Sequence, residues 1–390
     1  IYAADTPPSS NKGLDYDSAE TPKFTVLPAS QSRLQLLLPG ETAVPGKTTA
    51  PAGKEGTPSP RTAGTPFVVT VHGTDNYYNK VSTASASVEI VTSDAFDSEP
   101  AEQSLVAGTT YFTLTLVTRS TQTVTVNDTD GSPLASDTSP EFNVLAASAV
   151  KLHLVVPGET FAEGSSTGKS GSPSVRTAGV PFKATVYGVD DNFNLDTMAS
   201  ATVNIITDDE FDAEPANQPL VAGTTVFTLS FVTASNRQVQ VSDVDGTPLA
   251  SAVVSHIPVN PNAGVKLQVL GPGQAAKPGK PPYTGNTGGY ENSISTQTAG
   301  VPFDVTVRVT DTYWNLAPSA QTITVTTSDP NDADPGSKAL IGGSTIFTVT
   351  PYTAASNLTI TAVDNDPTVP TYTSYTTQNL SLIHISEPTR

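Results

Sequence analysis

The sequence predicts an all-β protein built from tandem β-sandwich domains that follow one another as an elongated rod. Three observations support this prediction. Thr, Val and Ser are abundant throughout the chain, which favours strands joined by turns. Apolar and polar residues alternate with a period of two in several segments. The same series of motifs also recurs every ~115–120 residues, which is the length of one small domain.

Composition restricts the classes of partner. The 390 residues include 19 Lys and Arg against 37 Asp and Glu, so the formal net charge is −18 at pH 7. Such a charge argues against nucleic acid and anionic membrane surfaces as partners, and it suits a solubilising surface or a binder of divalent cations. Without Cys, the chain has neither disulfides nor thiolate metal sites. No run of 18 apolar residues occurs, so we expect no membrane span in this chain.

Internal repetition divides the chain into three domains. The opening motif of each copy is RLQLLLPGE (33–41), KLHLVVPGE (151–159) and KLQVLGPGQ (266–274). Four further motifs follow in the same order: TAG-x-PF ending at Phe67, Phe182 and Phe303; TDNYYN, VDDNFN and TDTYWN; LVAGTT, LVAGTT and LIGGST; NDTDG, SDVDG and VDNDP. We therefore place repeat 1 at 32–148, repeat 2 at 149–263 and repeat 3 at 264–379, with repeat 3 truncated in its last strand.

Both ends of the chain depart from this pattern. In 1–31, IYAADTPP matches ITAVDNDP and PKFTVLPAS matches PEFNVLAAS, so this segment is predicted to be the C-terminal remnant of a preceding repeat. The tail LSLIHISEPTR at 380–390 matches nothing in the repeats. It has the sequence of a translated transposase sequencing adapter, and we interpret it as an artefact from the end of a DNA fragment.

Period-two alternation assigns the strands of one repeat in order. After a first strand in LQLLLP, the segment FVVTVHG directs Phe67, Val69 and Val71 to one face. Later strands direct inward Val88 and Ile90, then Phe112, Leu114 and Leu116, then Val124 and Val126, before a last strand in EFNVL. About seven strands in a domain of this length are typical of an immunoglobulin-like sandwich. The Cys…Trp…Cys pattern of antibody domains is absent.

These motifs also support a resemblance. The series LLLPGE…RTAGTPF…DNYYN…LVAGTTYFTLTLVT…TVTVNDTDG resembles the tandem bacterial immunoglobulin-like (Big-type) repeats of large secreted and cell-surface proteins, over nearly all of 32–379. The resemblance implies an extracellular or bacterial cell-surface location and a spacer, stalk or adhesive role. The chain departs from simpler members in a long segment rich in Pro, Gly, Ser and Lys after the first strand, for example ETAVPGKTTAPAGKEGTPSP. We interpret this insert as a mobile loop or a contact surface.

The His residues do not indicate catalysis. The residues aligned with His72 are Tyr187 and Arg308, and those aligned with His153 are Gln35 and Gln268. A general base that each domain needed would recur in each copy. The outward phase of these positions on their strands instead predicts exposed surface residues. Nucleophile-elbow, zinc-protease and nucleotide-binding motifs are also absent from the sequence, so we expect the repeats to be non-enzymatic.

Three acidic motifs recur at matching places. D-x-x-D-x-[DE]-P contributes Asp94, Asp97, Glu99, Asp209, Asp212, Glu214, Asp329, Asp332 and Asp334. D-x-x-x-N contributes Asp75, Asn79, Asp190, Asn194, Asp311 and Asn315, and D-x-D contributes Asp128, Asp130, Asp243, Asp245, Asp364 and Asp366. Ca²⁺ binds six to eight oxygens, several of them from closely spaced Asp, Asn and Glu on a loop. These residues are therefore candidate Ca²⁺ ligands.

Sandwich topology sharpens the calcium hypothesis. The D-x-x-x-N and D-x-D loops share one pole of a domain, whereas the D-x-x-D-x-[DE]-P loop lies at the pole where the chain exits. The loop of Asp94 would thus face the loops of Asp190 and Asp243 across a joint. Opposed acidic loops repel unless a cation lies between them, which predicts an interdomain Ca²⁺ that stiffens the array. The alternative is that Asp and Asn cap tight turns through side-chain-to-backbone hydrogen bonds.

Two further features concern the joints and poles. The linker in EFNVLAASAVKLHLVV is short and flanked by apolar residues, which predicts a semi-rigid connection. Tyr78, Phe193 and Trp314 share one loop position, where a plug over the end of the sandwich is favoured over a platform for sugar rings.

The sequence thus predicts a non-enzymatic structural spacer whose main partners are the neighbouring repeats. One alternative is an adhesive module that binds surface glycans or proteins through the long first loops. Another is a set of accessory repeats attached to a secreted enzyme whose catalytic domain lies elsewhere.

Overall fold

The computed structural model describes residues 2–3, 19–131, 134–246, 249–366 and 370–383. Within these ranges every regular element is a β-strand, and no helix is present that could cross a membrane. The predicted all-β class is therefore confirmed. The chain divides into two compact units between Leu145 and Ala146, so that repeat 1 lies in the first unit and repeats 2 and 3 lie in the second.

Repeat 1 is a sandwich with short added strands. The strands of the first unit are β1 (Tyr2–Ala3), β2 (Ala19–Glu20), β3 (Arg33–Leu37), β4 (Glu41–Ala43), β5 (Lys54–Gly56), β6 (Arg61–Thr62), β7 (Phe67–Thr74), β8 (Ser87–Thr92), β9 (Gln103–Ser104), β10 (Thr109–Leu114), β11 (Thr121–Gln122), β12 (Val124–Asp128), β13 (Asp137–Thr138) and β14 (Phe142–Leu145). One sheet has the order β10-β7-β3, and the facing one has the order β13-β12-β8-β9. The last strand, β14, runs antiparallel to β11 and parallel to β6.

Repeats 2 and 3 have the same architecture. Repeat 2 contains β15 (Lys151–Val155), β16 (Glu159–Phe161), β17 (Lys169–Gly171), β18 (Arg176–Thr177), β19 (Phe182–Val189), β20 (Thr202–Thr207), β21 (Gln218–Pro219), β22 (Thr224–Leu229), β23 (Asn236–Asp243) and β24 (Ala252–Asn260). Repeat 3 contains β25 (Lys266–Leu270), β26 (Ala275–Ala276), β27 (Tyr290–Glu291), β28 (Gln297–Thr298), β29 (Phe303–Thr310), β30 (Thr322–Thr327), β31 (Gly336–Ala339), β32 (Ser344–Val349), β33 (Ile360–Asp364), β34 (Tyr375–Thr376) and β35 (Leu382–Ile383). The sheets β15-β19-β22 and β25-β29-β32 correspond to β3-β7-β10 of repeat 1.

Each repeat has its own apolar core, formed by the residues that the alternation assigned to the inner face. In β7 the side chains of Phe67, Val69 and Val71 are buried, and Phe112 and Leu114 of β10 pack with them. The second and third cores are built on the equivalent positions of β19 and β29. Because burial of apolar surface drives folding, three separate cores mean that each sandwich has its own source of stability.

Several residues on the outer face of the β3-β7-β10 sheet and of its counterparts are buried, whereas the sequence predicted them to be exposed. Gln35, His153, Gln268 and Arg308 are buried, although their strand phase predicted exposed positions. They do point away from the sandwich core, but the insert after the first strand folds back over them. The prediction was wrong because strand phase identifies the face of a sheet without showing what else packs on that face.

Part of the insert forms a short hairpin in every repeat. β4 pairs with β5, β16 with β17 and β26 with β27, all antiparallel. In repeats 1 and 3 a buried amide holds the hairpin to the sheet: Gln35 Nε2 donates to the Gly53 carbonyl at 2.6 Å, and Gln268 Nε2 donates to the Gly289 carbonyl at 2.9 Å. In repeat 2 the aligned His153 packs on Phe161 of the hairpin, with ring centres 5.6 Å apart. The insert therefore acts as a third layer on one side of the sandwich.

The end of repeat 3 is completed by residues of the tail. Leu380 and Leu382 are buried in its core, and β35 runs parallel to β28, as β14 does to β6 in repeat 1. The position of the last strand is thus filled by 380–383, beyond the boundary predicted at 379. This placement has no bearing on the origin of the tail, which stays a prediction, and 384–390 lie outside the described residues.

Candidate functional site: the joint at the entry of each repeat

The D-x-x-x-N loop of each repeat is organised around its buried aspartate. Asp311 Oδ1 accepts hydrogen bonds from the backbone N–H groups of Tyr313 at 2.8 Å and Asn315 at 3.0 Å. Asp75 and Asp190 accept the equivalent bonds in repeats 1 and 2. This arrangement is an Asx turn, in which the side chain replaces a backbone acceptor. It places the aromatic residue of the loop in the left-handed region, with φ values of 60°, 62° and 66° for Tyr78, Phe193 and Trp314.

The second oxygen of the same carboxylate holds the incoming linker. Asp75 Oδ2 accepts from the backbone N–H of Ala29 at 2.9 Å, Asp190 Oδ2 from Ala147 at 3.0 Å, and Asp311 Oδ2 from Asn262 at 2.9 Å. One carboxylate thus binds both its own loop and the chain that enters the repeat. Burial alone would raise the pKa of Asp75, but the Asn79 amide and the backbone N–H donors outweigh burial and lower it.

At the joint between repeats 2 and 3, Asn315 makes direct contact with the preceding domain. Its Nδ2 donates to the Val232 carbonyl at 2.8 Å, and its Oδ1 accepts from the Ala234 N–H at 2.7 Å. Asn262, in the linker, donates from Nδ2 to the Ala178 carbonyl at 3.3 Å. These bonds fix two strand-end loops of repeat 2 against the entry loop of repeat 3.

Close packing accompanies these hydrogen bonds. Tyr313 packs against the core of repeat 2, and a Cβ on Gly179 would lie 2.2 Å from its Cε2 atom. A Cβ on Gly279 would lie 2.0 Å from the Thr233 hydroxyl oxygen. A side chain at either position would have to displace Tyr313 or Thr233, and both glycines also have a positive φ, 76° at Gly179 and 80° at Gly279, which favours glycine.

A charged pair adds to the same joint. Lys277 Nζ lies 3.1 Å from a carboxylate oxygen of Glu210 and 5.6 Å from the centre of the Phe211 ring. The hydrogen bond to Glu210 raises the pKa of Lys277. The residues aligned with Glu210 and Lys277 in the preceding copies are Ala95 and Ala162. The pair is therefore specific to the joint between repeats 2 and 3.

The first aspartate of each D-x-x-D-x-[DE]-P loop is a buried turn cap. Asp209 Oδ2 accepts from the N–H groups of Val232 at 2.8 Å and Thr233 at 2.7 Å, while Oδ1 accepts from the Thr233 hydroxyl. Asp94 and Asp329 make the same set of bonds. Burial alone would raise the pKa of Asp329, but these donors outweigh it and lower the pKa to about 2.

The other two carboxylates of this loop share one threonine. Asp212 accepts from the Thr207 hydroxyl at 2.8 Å, and Glu214 accepts from the Thr207 N–H at 2.6 Å. The equivalent acceptors are Asp97 and Glu99 on Thr92, and Asp332 and Asp334 on Thr327. Burial, with added repulsion from the neighbouring carboxylates, raises the pKa of Asp97 and of Asp212 to about 6.

The D-x-D motif closes a turn at the entry pole. Asp243 accepts from the N–H groups of Asp245 and Leu249, and Asp245 accepts from the Thr202 N–H. Asp128 and Asp130, and Asp364 and Asp366, make the corresponding bonds in repeats 1 and 3. The motif thus ties a turn to the start of a neighbouring strand.

The candidate Ca²⁺ ligands approach one another at the joint between repeats 2 and 3, where Asp209 and Asn315 both bind the segment 232–234. In the part of the chain that the structure describes, no group of three or more His, Asp or Glu side chains is arranged to hold a metal ion. Every candidate carboxylate instead accepts a backbone or hydroxyl donor. These bonds favour the turn-capping interpretation, and the interdomain Ca²⁺ stays a prediction.

The shared aromatic position is covered on both faces. Trp314 is fully buried: Lys266 Nζ lies 3.3 Å from its ring centre, and a Cβ on Gly289 would lie 2.3 Å from the ring. In repeat 2, Lys151 and Gly168 enclose Phe193 in the same way. A sugar ring needs an open aromatic face, so this geometry favours the structural plug.

Sequence reasoning missed several joint residues. Asn262 stands in a linker where no motif marks it, and Gly179 and Tyr313 belong to motifs that were interpreted only within their own repeat. A signal was available for Glu210 and Lys277, because both are charged where the other copies differ.

Comparison with known proteins adds no family. No protein-family model and no curated protein matches the sequence. Among solved structures, the chain is similar to the Escherichia coli adhesin FdeC, with 14% identity over 93% of this chain and 100% of that chain and a TM-score of 0.32. It is also similar to a putative membrane-anchored protein from Corynebacterium diphtheriae, with 12% identity, coverage of 84% and 88%, and a TM-score of 0.24. Elastase-activated α2-macroglobulin from Escherichia coli gives 12% identity, coverage of 84% and 32%, and a TM-score of 0.34. At these TM-scores, none of the similarities assigns a function.

Proposed function

We propose that this chain is a structural spacer, a non-enzymatic stretch of stalk within a larger bacterial surface or secreted protein. The observation that carries the proposal is the use of Asn315, whose amide oxygen and nitrogen both bind the backbone of the preceding repeat. Such a bond pair resists bending of the joint, because any large rotation would break both contacts at once and leave buried backbone groups unsatisfied.

The acidic loops support the same role. Their carboxylates are engaged by backbone and hydroxyl donors, whereas acid–base catalysis needs two titrating groups free to act on a substrate in a cleft. The polar groups that recur in every copy thus hold turns and linkers. In every repeat a buried carboxylate binds the linker that enters the repeat. Fixed linkers suit a spacer, since its function is to keep a fixed distance between its ends.

Small-angle scattering of the full chain tests the proposal. A compact protein of this length would have a radius of gyration of about 21 Å, whereas a stiff row of three domains is expected to exceed about 30 Å. Asn315→Ala should broaden the distance distribution by loosening one joint, while the matched control Asn236→Ala, at an exposed strand position, should leave it unchanged. A wild-type value near the compact limit would contradict the spacer role.

A further inference from the structure

The amine of Lys54 lies between two carboxylates inside repeat 1. Lys54 Nζ is 3.3 Å from Asp137 Oδ2 and 3.6 Å from Glu41 Oε1. The side chains of Lys54 and Glu41 are only 8% and 1% exposed, and that of Asp137 is 23% exposed. A buried lysine is rare unless it is paired, but one carboxylate is enough to pair it. The group therefore contains one carboxylate more than an ion pair needs.

The other repeats show that this second carboxylate is not needed to build the sandwich. Repeat 2 keeps the ion pair, with 2.7 Å between Glu159 Oε1 and Lys169 Nζ, but Ala252 stands where repeat 1 has Asp137. In repeat 3 the three places are taken by uncharged residues, Gln274, Tyr290 and Tyr375. Of the three repeats, only repeat 1 combines lysine, glutamate and aspartate at these positions.

Backbone groups hold the amine and the two carboxylates in place. Asp137 Oδ2 accepts from the Leu36 N–H at 2.8 Å, and Lys54 Nζ donates to the Leu36 carbonyl at 3.0 Å. Glu41 Oε2 accepts from the Leu38 N–H at 3.0 Å. A single residue of β3 thus binds both the amine and the aspartate, which keeps the two groups in contact. Reactants held together in this way react as one molecule, without the entropy cost of an encounter.

We propose that Lys54 and Asp137 condense to form an intramolecular isopeptide bond, with Glu41 as the proton acceptor. Once a proton has moved from the ammonium to Glu41, the nitrogen lone pair attacks the Asp137 carboxyl carbon and forms the C–N bond. The bond from that carbon to Oδ1 then breaks, and its electron pair leaves with the oxygen. In total the ammonium gives up two protons and the carboxylate one oxygen, which leave as one water molecule. The step needs no oxidant or reductant.

The surroundings favour this reaction at Asp137. The Leu36 N–H donates to Oδ2, the oxygen that stays as the amide carbonyl, and negative charge develops on this oxygen in the tetrahedral intermediate. Burial of Lys54 and Glu41 limits the access of water, which disfavours hydrolysis of the product. Glu41 keeps the Leu38 N–H as a donor after the ammonium has gone, so its carboxylate is not left without a hydrogen bond.

The bond would join β5 to β13, at residues 83 positions apart. Strands β7, β8, β10 and β12 lie inside the loop that it closes. A cross-link across a long loop stabilises the folded state by restricting the unfolded chain. Tension applied to the two ends of repeat 1 also could not extend the residues between 54 and 137, whatever role the whole chain has.

Mass spectrometry of the intact full chain in denaturant tests the proposal. The wild-type mass should be lower than the mass calculated from the sequence by one water molecule. Protease digestion should then give one branched product in which Lys54 is joined to Asp137. Repeat 2 provides an internal control, because Lys169 has Ala252 in place of the aspartate and its peptide should be unmodified.

Three substitutions separate the roles of the residues. Lys54→Met and Asp137→Ala should each abolish the loss of water, and Ala252 shows that a sandwich accepts alanine at the second position. Glu41→Gln should lower the cross-linked fraction by about tenfold or more, because it removes the proton acceptor. The turn should stay intact in this variant, since Gln274 accepts the equivalent backbone bond in repeat 3.

The matched control is Glu55→Gln, at an exposed glutamate of the same hairpin, which should leave the cross-link unchanged. A wild-type chain that has its full calculated mass would overturn the proposal, whether or not the variants fold. A loss of water confined to one peptide, such as ring closure at Asp130 and Gly131, would also overturn it, as would a bond from Lys54 to Glu41. An undiminished cross-link in Glu41→Gln would contradict the role of Glu41 as proton acceptor.

Discussion

Asp311 shows how much one side chain contributes to the joint. Its two oxygens accept backbone N–H groups from Tyr313 and Asn315 in the loop and from Asn262 in the linker, and Asn315 Nδ2 donates to it at 2.9 Å. A carboxylate can accept about four hydrogen bonds, so Asp311 is fully used inside the protein. Asp311 could bind a metal ion only if it lost some of these hydrogen bonds.

Asp212 provides a prediction about pH. Its pKa is about 6 in the folded protein against an ordinary value of 3.8, since burial and the nearby carboxylates of Glu214 and Asp209 disfavour its charge. The folded state thus holds the proton more tightly. The stabilising contribution of protonated Asp212 is complete below pH ~4 and is lost as the pH rises through 6.

We therefore expect Asp212→Asn to raise the thermal midpoint relative to wild type at pH 7, with the difference shrinking towards pH 4.5. Wild type is the necessary reference, because His153 gives stability the opposite dependence on pH. Burial and nearby Lys169 lower the pKa of His153 to about 4. The stability that neutral His153 contributes is therefore lost as the pH falls below 6.5. A midpoint difference that does not change between pH 4.5 and 7 would contradict the raised pKa of Asp212.

Among the elements, the insert hairpin is the clearest addition to the sandwich. In β16 and β17, the side chain of Glu159 is buried and lies 2.7 Å from Lys169 Nζ, and Glu159 also accepts from the Val156 N–H. In repeat 3 the aligned residues are Gln274 and Tyr290, and Gln274 accepts the equivalent bond from Gly271. Repeat 3 therefore lacks both the lysine and the carboxylate of repeat 2. This is expected because a buried charge without an opposite charge beside it is destabilising.

This pairing predicts strong coupling in repeat 2. Lys169→Ala should destabilise the hairpin by roughly 2–3 kcal/mol, because it leaves the buried Glu159 carboxylate without its cation. The double change Glu159→Gln with Lys169→Tyr, which copies repeat 3, should recover more than half of the loss. Hydrogen exchange of the amides in repeat 2, with those of repeat 3 as an internal control, measures both effects. Additive effects of the two substitutions would show that the charges do not interact.

For the whole molecule, three separate cores are joined by linkers that the sequence marks only by their shortness. The described joint between repeats 2 and 3 combines the Asn315 bonds, the packed Tyr313 and the pair of Glu210 with Lys277. The opposed acidic loop of repeat 2 is thus partly neutralised by a lysine. The candidate ligands of this loop, Asp209, Asp212 and Glu214, are held instead by donors of repeat 2 itself.

Calcium remains testable by thermal melting of the full chain. An interdomain Ca²⁺ predicts that the midpoint rises with millimolar Ca²⁺ and falls again with chelator, because a ligand that binds only the folded state stabilises it. Mg²⁺ at the same concentration controls for general screening of the negative charge. An unchanged midpoint in Ca²⁺ would contradict the calcium hypothesis and leave turn capping as the role of the acidic loops.

The sequence alone determined the all-β class of the protein and the inward residues of each core. The repeat boundaries stay predictions, and the last strand of repeat 3 lies beyond the boundary placed at 379. Internal repetition identified the domains. Period-two alternation identified inward residues such as Val69 and Phe112, because the direction of a side chain on a strand depends only on local backbone geometry. It also located every acidic loop, although it left two interpretations of them open.

Only the tertiary structure decided what those polar residues contact. Gln268 and Arg308 are buried because an insert distant in sequence folds over them, and alternation along one strand contains no information about that layer. Asp311 and Asn315 hold a linker and a preceding domain because loops from separate segments meet at one pole. Contacts of this kind depend on the packing of whole domains, which local sequence patterns do not encode.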